Sequence, residues 1–272
     1  MRKSGLKKAA PEKAAKRKKP AARSERVNSL ARGLEVLLAF GRQGEPMTIT
    51  DMALATGMPA AAARRMLLTL TDLGYVEQRG KRFQIGVRVL DLGYAYLASM
   101  PLWQIVQPVT ERISQQFDVA SSAAVLDGTD IVLVVRANNR QPSSVLVSTG
   151  TRQPAHVTAM GRVLLAHQEP AMLERILDRV AFTAFTPQSV KDRRQLEKIL
   201  AEVRRQDYAI VDEEMEFGLR AIAVPLRNRR GEVVAALNAA GHKKLLDLKT
   251  LEAEILPAMI EAARQISAHI GS

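Results

Sequence analysis

The residues best suited to chemistry in this chain are cations at helix and turn spacing. Arg64 and Arg65 follow a run of small residues, Pro59, Ala60, Ala61, Ala62 and Ala63, while Arg79, Lys81 and Arg82 surround Gly80. Guanidinium groups bond guanine edges and phosphates, and alanines permit close approach to a groove and contact with thymine methyls. On a helix Arg64 and Arg65 lie about 100° apart. One is therefore expected to read or position DNA and the other to meet phosphate or an acid of the protein, with a solvated helix face as the plain alternative. The turn over 79–82 suits backbone or minor-groove contact. Its alternative is a charged tip that keeps a hairpin soluble.

A second set of residues could hold a small ligand. Thr158 opens a helix at Thr158-Ala159-Met160-Gly161, and exposed N–H groups at such a helix start bind carboxylates. Asn238 interrupts the apolar run 233–240. A polar side chain there needs a partner, which a ligand hydroxyl or carboxylate, or only neighbouring backbone, would supply. Catalytic and metal constellations do not assemble. The four histidines, His156, His167, His242 and His269, are widely spaced and form no HExxH. There is no GxSxG elbow, phosphate loop or dinucleotide fingerprint. No catalytic residue, metal site or cofactor is expected.

The chain has 272 residues and no cysteine, so disulfides and thiolate ligands are excluded and a reducing cytoplasm is the expected setting. No apolar run reaches the roughly 18–20 residues of a membrane span, and no membrane partner is expected. Of the net charge of +12, residues 1–26 hold +9 (eleven Lys/Arg against Glu12 and Glu25). The high pI is thus weak evidence about the folded part. Residues 1–26 read as a basic disordered tail, either an arm contacting phosphates or a solvated, solubilising segment.

These chemical groups need elements to position them. Ser29 is a candidate cap for a helix with Leu30, Leu34, Leu37 and Leu38 at helical spacing. Thr48 is expected to cap a short second helix carrying Ile49, Met52 and Ala53. Thr56-Gly57-Met58-Pro59 reads as a tight turn, with Gly57 left-handed and Pro59 in the first turn of a third helix, 60–73, that turns Met66, Leu67, Leu70 and Leu73 inward. Short strands over 74–78 and 81–85 then form a hairpin. Helix, turn, helix and basic hairpin is the winged helix-turn-helix order, so 27–87 is expected to bind double-stranded operator DNA, with Thr48 also among the DNA-binding residues. A linker helix follows over 88–101, with Val89, Leu92 and Tyr96 on one face and a break at Met100-Pro101. Beyond it, 102–272 reads as α+β around a mostly antiparallel sheet. Helices are expected at 102–117, 158–166, 170–178, 189–206 and 247–270, and strands at 120–126, 130–136, 144–148, 208–211, 219–226 and 232–239.

Several strings carry a family resemblance: SLARGLEVL from Ser29, the Gly57 turn, Leu70 to Tyr75-Val76, and the exit Phe83-Gln84-Ile85-Gly86. AAARR from Ala61, VSTGTRQPA from Val147, TAMGRVLLA from Thr158 and EFGLRAIAVP from Glu216 add to it. Together, over about 27–270, they resemble the IclR family of regulators, and within it the β-ketoadipate, protocatechuate and hydroxybenzoate branch. The resemblance implies a GAF-like effector-binding domain, a homodimer or dimer of dimers, and a linker helix that couples the domains. It implies an effector pocket built from His156, Thr158, Ala159, Met160, Gly161, Asp212, Arg220, Ala221, Asn238 and Ala240. Each has a blander role available: Arg220 could pair with Asp212, Glu213 or Glu214, His156 could be a surface histidine, and Met160 and Gly161 could serve packing. Ala221 stands where some members have Cys, and Asn238 and Ala240 where some have Ser. An aromatic or dicarboxylic acid such as protocatechuate, 4-hydroxybenzoate or a β-ketoadipate-like acid is therefore expected over glyoxylate or pyruvate. Pro59-Ala60 replaces a more polar pair, so the operator sequence does not carry over. The alternative function is a winged-helix assembly module that reads no small molecule.

Overall fold

The computed structural model describes residues 27–99, 102–137, 147–244 and 246–269. The expected basic tail at 1–26 and the break at Met100-Pro101 lie outside the described residues. The chain divides into two compact units that part between Leu92 and Gly93.

In the first unit three helices pack on one small core, α1 (Asn28–Gln43), α2 (Ile49–Thr56) and α3 (Ala60–Asp72). Helix α1 begins a residue before Ser29, and its N-cap Val27 makes no side-chain cap bond. Of the four leucines that mark its period, only Leu37 is buried. Val36, Ala39 and Phe40 complete the inward face, while Leu30, Leu34 and Leu38 face solvent. In α3 the inward residues are Ala62, Ala63, Leu67 and Leu70; Met66 is half-buried and Leu73 is exposed. The hairpin strands are shorter than expected, β1 (Val76–Arg79) and β2 (Arg82–Ile85), paired from Val76↔Ile85 to Arg79↔Arg82. Gly80 and Lys81 form the two-residue turn. The φ of Gly80 is 60°, the left-handed value that a II′ hairpin takes at its first central residue. Met47 bridges Phe83, exchanging two backbone bonds of 2.8 Å, so the loop before α2 lies against β2 as a one-bridge third strand of the wing. Helix α4 (Val89–Ser99) buries none of its residues fully.

The second unit is one six-stranded sheet with helices on both faces. Its strands are β3 (Ala120–Asp127), β4 (Asp130–Ala137), β5 (Arg152–Pro154), β6 (Ala209–Asp212), β7 (Leu219–Arg227) and β8 (Val233–His242). They lie in the order β5-β4-β3-β8-β7-β6 with every neighbouring pair antiparallel. One face carries α5 (Leu102–Phe117) and the C-terminal helical run, α9 (Leu248–Thr250), a π turn (Leu251–Ile255) and α10 (Leu256–Ser267). The π turn ends two residues before Pro257, whose missing N–H interrupts the ordinary ladder. The other face carries α6 (Ala159–Ala166), packed beside α8 (Arg193–Gln206), with α7 (Pro170–Leu177) adding Ile176 and Leu177 to that core.

Two expectations are corrected. The strand at 144–148 lies partly outside the described residues, and its described end, Val147 and Ser148, is loop; the sheet edge is β5 instead. Helix α8 starts at Arg193 rather than 189. Ser189 Oγ is engaged by the N–H groups of Phe185 and Thr186 and donates to the Glu214 carbonyl, and Asp192 caps the helix at Gln195 N, 2.8 Å.

Candidate DNA interface and ligand site

The helix-turn-helix is held by local bonds legible in sequence. Thr48 Oγ1 accepts from Asp51 N, and the Asp51 carboxylate accepts from Thr48 N, a reciprocal capping box. The Thr48 backbone N–H, and after it the Thr48 hydroxyl, both donating to the Asp51 carboxylate, hold that carboxyl below its ordinary value. Gly57, at φ 65°, sends its N–H back to Ala53 and Leu54 carbonyls and ends α2. Pro59 is the N-cap of α3 rather than its first helical residue, and its carbonyl accepts from Ala62 N and Ala63 N. Pro59, Ala60, Ala61, Arg64 and Arg65 are exposed, and neither arginine is ion-paired among the described residues. Ala62 is a correction. It is 7% exposed and packs with Leu67 and Met52, because it lies on the inward side of the same helix.

On the wing, Arg79 is exposed with a weak 3.5 Å contact to Glu77, and Lys81 is exposed at the tip. Arg82 donates to the Pro46 carbonyl at 2.8 Å, which ties the wing to the loop before α2. Arg88 donates to the Leu73 carbonyl and lies over the Tyr75 ring at 5.4 Å. The first unit thus presents a helix start with two cations and a hairpin tip with two more.

In the second unit, sheet register decides which residues share a face. Arg136, Ser122, Asn238 and Ala223 are opposite one another across β4, β3, β8 and β7. Ala223 packs in the core beneath α6, so the whole row faces α6. The adjacent row is Ala120, Ala240 and Ala221, all half-buried. A floor of three methyl groups is therefore bordered by a guanidinium, a hydroxyl and an amide. Arg136 Nη1 lies 3.4 Å from Ser122 Oγ. Burial lowers the Arg136 pKa from its ordinary value, yet a guanidinium stays charged. Asn238 is 9% exposed, and its Oδ1 has no partner among the described residues.

The turn leading into α6 is buried rather than exposed. Thr158 caps α6 through Gly161 N at 3.2 Å. Ala159, Met160 and Gly161 sit in the core, and a Cβ on Gly161 would lie 2.1 Å from the Ala155 carbonyl oxygen. Gly161 is thus required for close packing. His156 is buried at 2% exposure, with its ring edge-on to Phe182 at 5.6 Å. Burial, the largest influence, lowers its pKa despite a backbone bond with Thr183, so the ring is neutral at pH 7. Its Nε2 has no partner among the described residues. Arg162, 3% exposed, fixes this turn: its Nε donates to the His156 carbonyl at 3.1 Å and its Nη2 to Glu214 at 2.5 Å.

Asp212 and Arg220 are the second correction. They are opposite one another in β6 and β7, on the same side as Ile222 and Val224, away from α6. Arg220 Nη2 donates to Asp212 at 2.7 Å and Nη1 to the Leu246 carbonyl at 2.9 Å. They brace the opposite face, because residues one apart in a strand point to opposite sides. The sequence reading missed Ser122, Arg136 and Arg162. The first two carry the same signal as Asn238, a polar side chain within an apolar strand.

The C-terminal model of the bacterial transcriptional regulator IclR matches residues 94–268, and the IclR helix-turn-helix model matches residues 29–80. The chain belongs to the IclR family of transcriptional regulators. The Pca regulon regulatory protein of Pseudomonas putida is 40% identical over 88% of this chain and 83% of its own length. The p-hydroxybenzoate hydroxylase transcriptional activator of Acinetobacter baylyi is 33% identical over 88% of this chain and 90% of its own. A solved IclR homologue from Microbacterium hydrocarbonoxydans, in complex with 4-hydroxybenzoate, superposes with a TM-score of 0.77 at 27% identity, covering 88% of this chain and 98% of that one. These relatives are regulators, not enzymes. Among the described residues of this IclR-family chain, no group of His, Asp or Glu could hold a metal ion and no helix is long and apolar enough to cross a membrane.

Proposed function

We propose that this chain binds operator DNA through Pro59, Ala60, Ala61, Arg64 and Arg65 of α3 and the wing cations Arg79, Lys81 and Arg82. We further propose that a small aromatic acid in the second unit changes that binding and so controls genes of aromatic-acid catabolism in the cytoplasm. The observation that carries the ligand half is the methyl floor of Ala120, Ala221 and Ala240 beside the buried, unpartnered Asn238 Oδ1. A buried acceptor without a partner costs about 1–3 kcal/mol, and a ligand donor removes that cost. The p-hydroxybenzoate regulator and the solved 4-hydroxybenzoate complex among the relatives support 4-hydroxybenzoate, and the branch resemblance adds protocatechuate and a β-ketoadipate-like acid as candidates. The family resemblance adds Thr158 and His156 to this site and assigns α4 the coupling of the two units.

The working form is a homodimer or a dimer of dimers. Leu30, Leu34 and Leu38 recur every four residues along α1 and are 64%, 48% and 64% exposed in the single chain. Such a stripe suits a second copy, and a two-fold dimer places two α3 helices on successive major-groove faces.

The test is a fluorescence-anisotropy titration of DNA from upstream of the adjacent operon, across salt concentrations, with and without the three acids. Operator affinity is expected to change when the effector is present. Alanine at Arg79 and Lys81 should weaken binding to all sequences and lower the salt slope by about one for each phosphate that is no longer neutralised. Affinity that none of the acids alters would favour a module that reads no small molecule.

A further inference from the structure

We infer that Arg136, with Ser122, is the carboxylate anchor of the ligand site, and that Asn238 Oδ1 receives a ring hydroxyl, so the site selects hydroxylated aromatic acids in one orientation. This rests on the proposed effector site and assigns its polarity.

Four observations converge. First, register places Arg136, Ser122 and Asn238 in one row on the face that α6 covers. Directly opposed side chains have Cβ atoms about 4.5–5.5 Å apart, so the three groups form one continuous polar edge. Secondly, Arg136 is half-buried, and burial lowers its pKa. An attraction between opposite charges is stronger in such partly desolvated surroundings than in water. A guanidinium offers the planar fork that matches a carboxylate. Ser122 Oγ lies 3.4 Å from Arg136 Nη1 and, as the acceptor of that contact, keeps its own proton for a second acceptor.

Thirdly, the other end of the edge is an acceptor. Asn238 is more than nine-tenths buried, and its Oδ1 has no partner among the described residues. A phenolic O–H satisfies it, whereas a carboxylate repels it. The two ends are thus chemically distinct, one for an anion and one for a donor. Fourthly, the surface beside this edge is flat and apolar. Ala120, Ala240 and Ala221 present only methyl groups and remain half-buried, whereas the Ala124, Ala236 and Ala223 positions under α6 are closed. An aromatic ring lies on such a floor without meeting a branched side chain.

The experiment is calorimetry, with ligand-observed NMR for weak ligands, on the full chain. The probes are 4-hydroxybenzoate, protocatechuate, benzoate, which lacks the hydroxyl, and 4-hydroxybenzyl alcohol, which lacks the carboxylate. The wild type is expected to bind at least one hydroxylated acid about 10-fold or more tighter than either truncated probe. Arg136→Gln should weaken that acid about 30-fold or more and leave the alcohol unchanged. Arg136→Lys, which keeps the charge and loses the fork, should fall between. Asn238→Ala should abolish the preference for 4-hydroxybenzoate over benzoate while retaining benzoate affinity. Thermal melting of each variant separates a binding defect from a folding defect. If hydroxylated acids bind the wild type and Arg136→Gln binds them equally well, the anchor assignment is overturned and the aromatic-acid reading stands. If Arg136→Gln loses acid and alcohol alike, the orientation is overturned. If no acid binds the wild type, both readings fall together.

Discussion

His156 combines nearly complete burial with a ring nitrogen that no described residue satisfies. Desolvation, the largest influence, holds its pKa below the ordinary value of 6.5. The sign of the consequence follows from proton counting. Between the folded and unfolded values the unfolded chain binds more protons, so stability rises with pH there. The contribution is complete above about pH 6.5 and is lost as the pH falls through that value toward the lower folded one. The urea midpoint of the wild type should therefore drop between pH 7.5 and pH 5.5, and His156→Gln should flatten that part of the curve. An unchanged slope in the variant would show that other groups titrate there. The blander alternative for His156, a surface histidine, is excluded by its burial. For Arg220 the blander alternative is the correct one, since it pairs with Asp212 on the far face. The two residues were indistinguishable in sequence because each is a polar side chain next to apolar ones, and only strand parity separates them.

At the scale of elements, the turn from β5 into α6 shows how closely the backbone packs on this face of the sheet. Ala155–Val157 forms a 3-10 turn whose chain passes so near α6 that only a hydrogen fits at Gly161. Gly161→Ala should destabilise the second unit by about 3 kcal/mol or more, since the atoms it meets are backbone and cannot rotate away. A denaturation midpoint equal to wild type would show that the turn relaxes freely. Arg162 and Glu214 hold the same turn from the other side. Most elements are legible in the sequence. The capping box at Thr48, the Gly57 turn and the hairpin over 79–82 have local signals, because their bonds join residues a few positions apart. The edge strand β5 and the start of α8 did not. Three residues are too few for a period, and Ser189 owes its conformation to Glu214, 25 residues away.

For the whole molecule, the exposed leucines of α1 make a prediction about assembly. Leu34→Glu with Leu38→Glu places two carboxylates on the stripe without disturbing the core residues Val36, Leu37 and Phe40. Light scattering should show the double variant shifted to monomer, with operator affinity reduced about 10-fold or more as the second half-site is lost. A variant that remains dimeric would move the interface elsewhere.

The sequence by itself determined the order of elements, the winged helix-turn-helix, the antiparallel α+β second unit and the family, because each rests on local periodicity, turn chemistry or short strings. It also determined that no cysteine chemistry is possible. Only the tertiary structure decided which face of each element looks inward. Ala62 turned into the core, Asp212 and Arg220 moved to the far side of the sheet, and Arg136 and Ser122 joined Asn238. The physical reason is register: a strand repeats every two residues, and its partners across the sheet, here more than 100 positions away for Ser122 and Asn238, decide which set of alternate side chains faces α6.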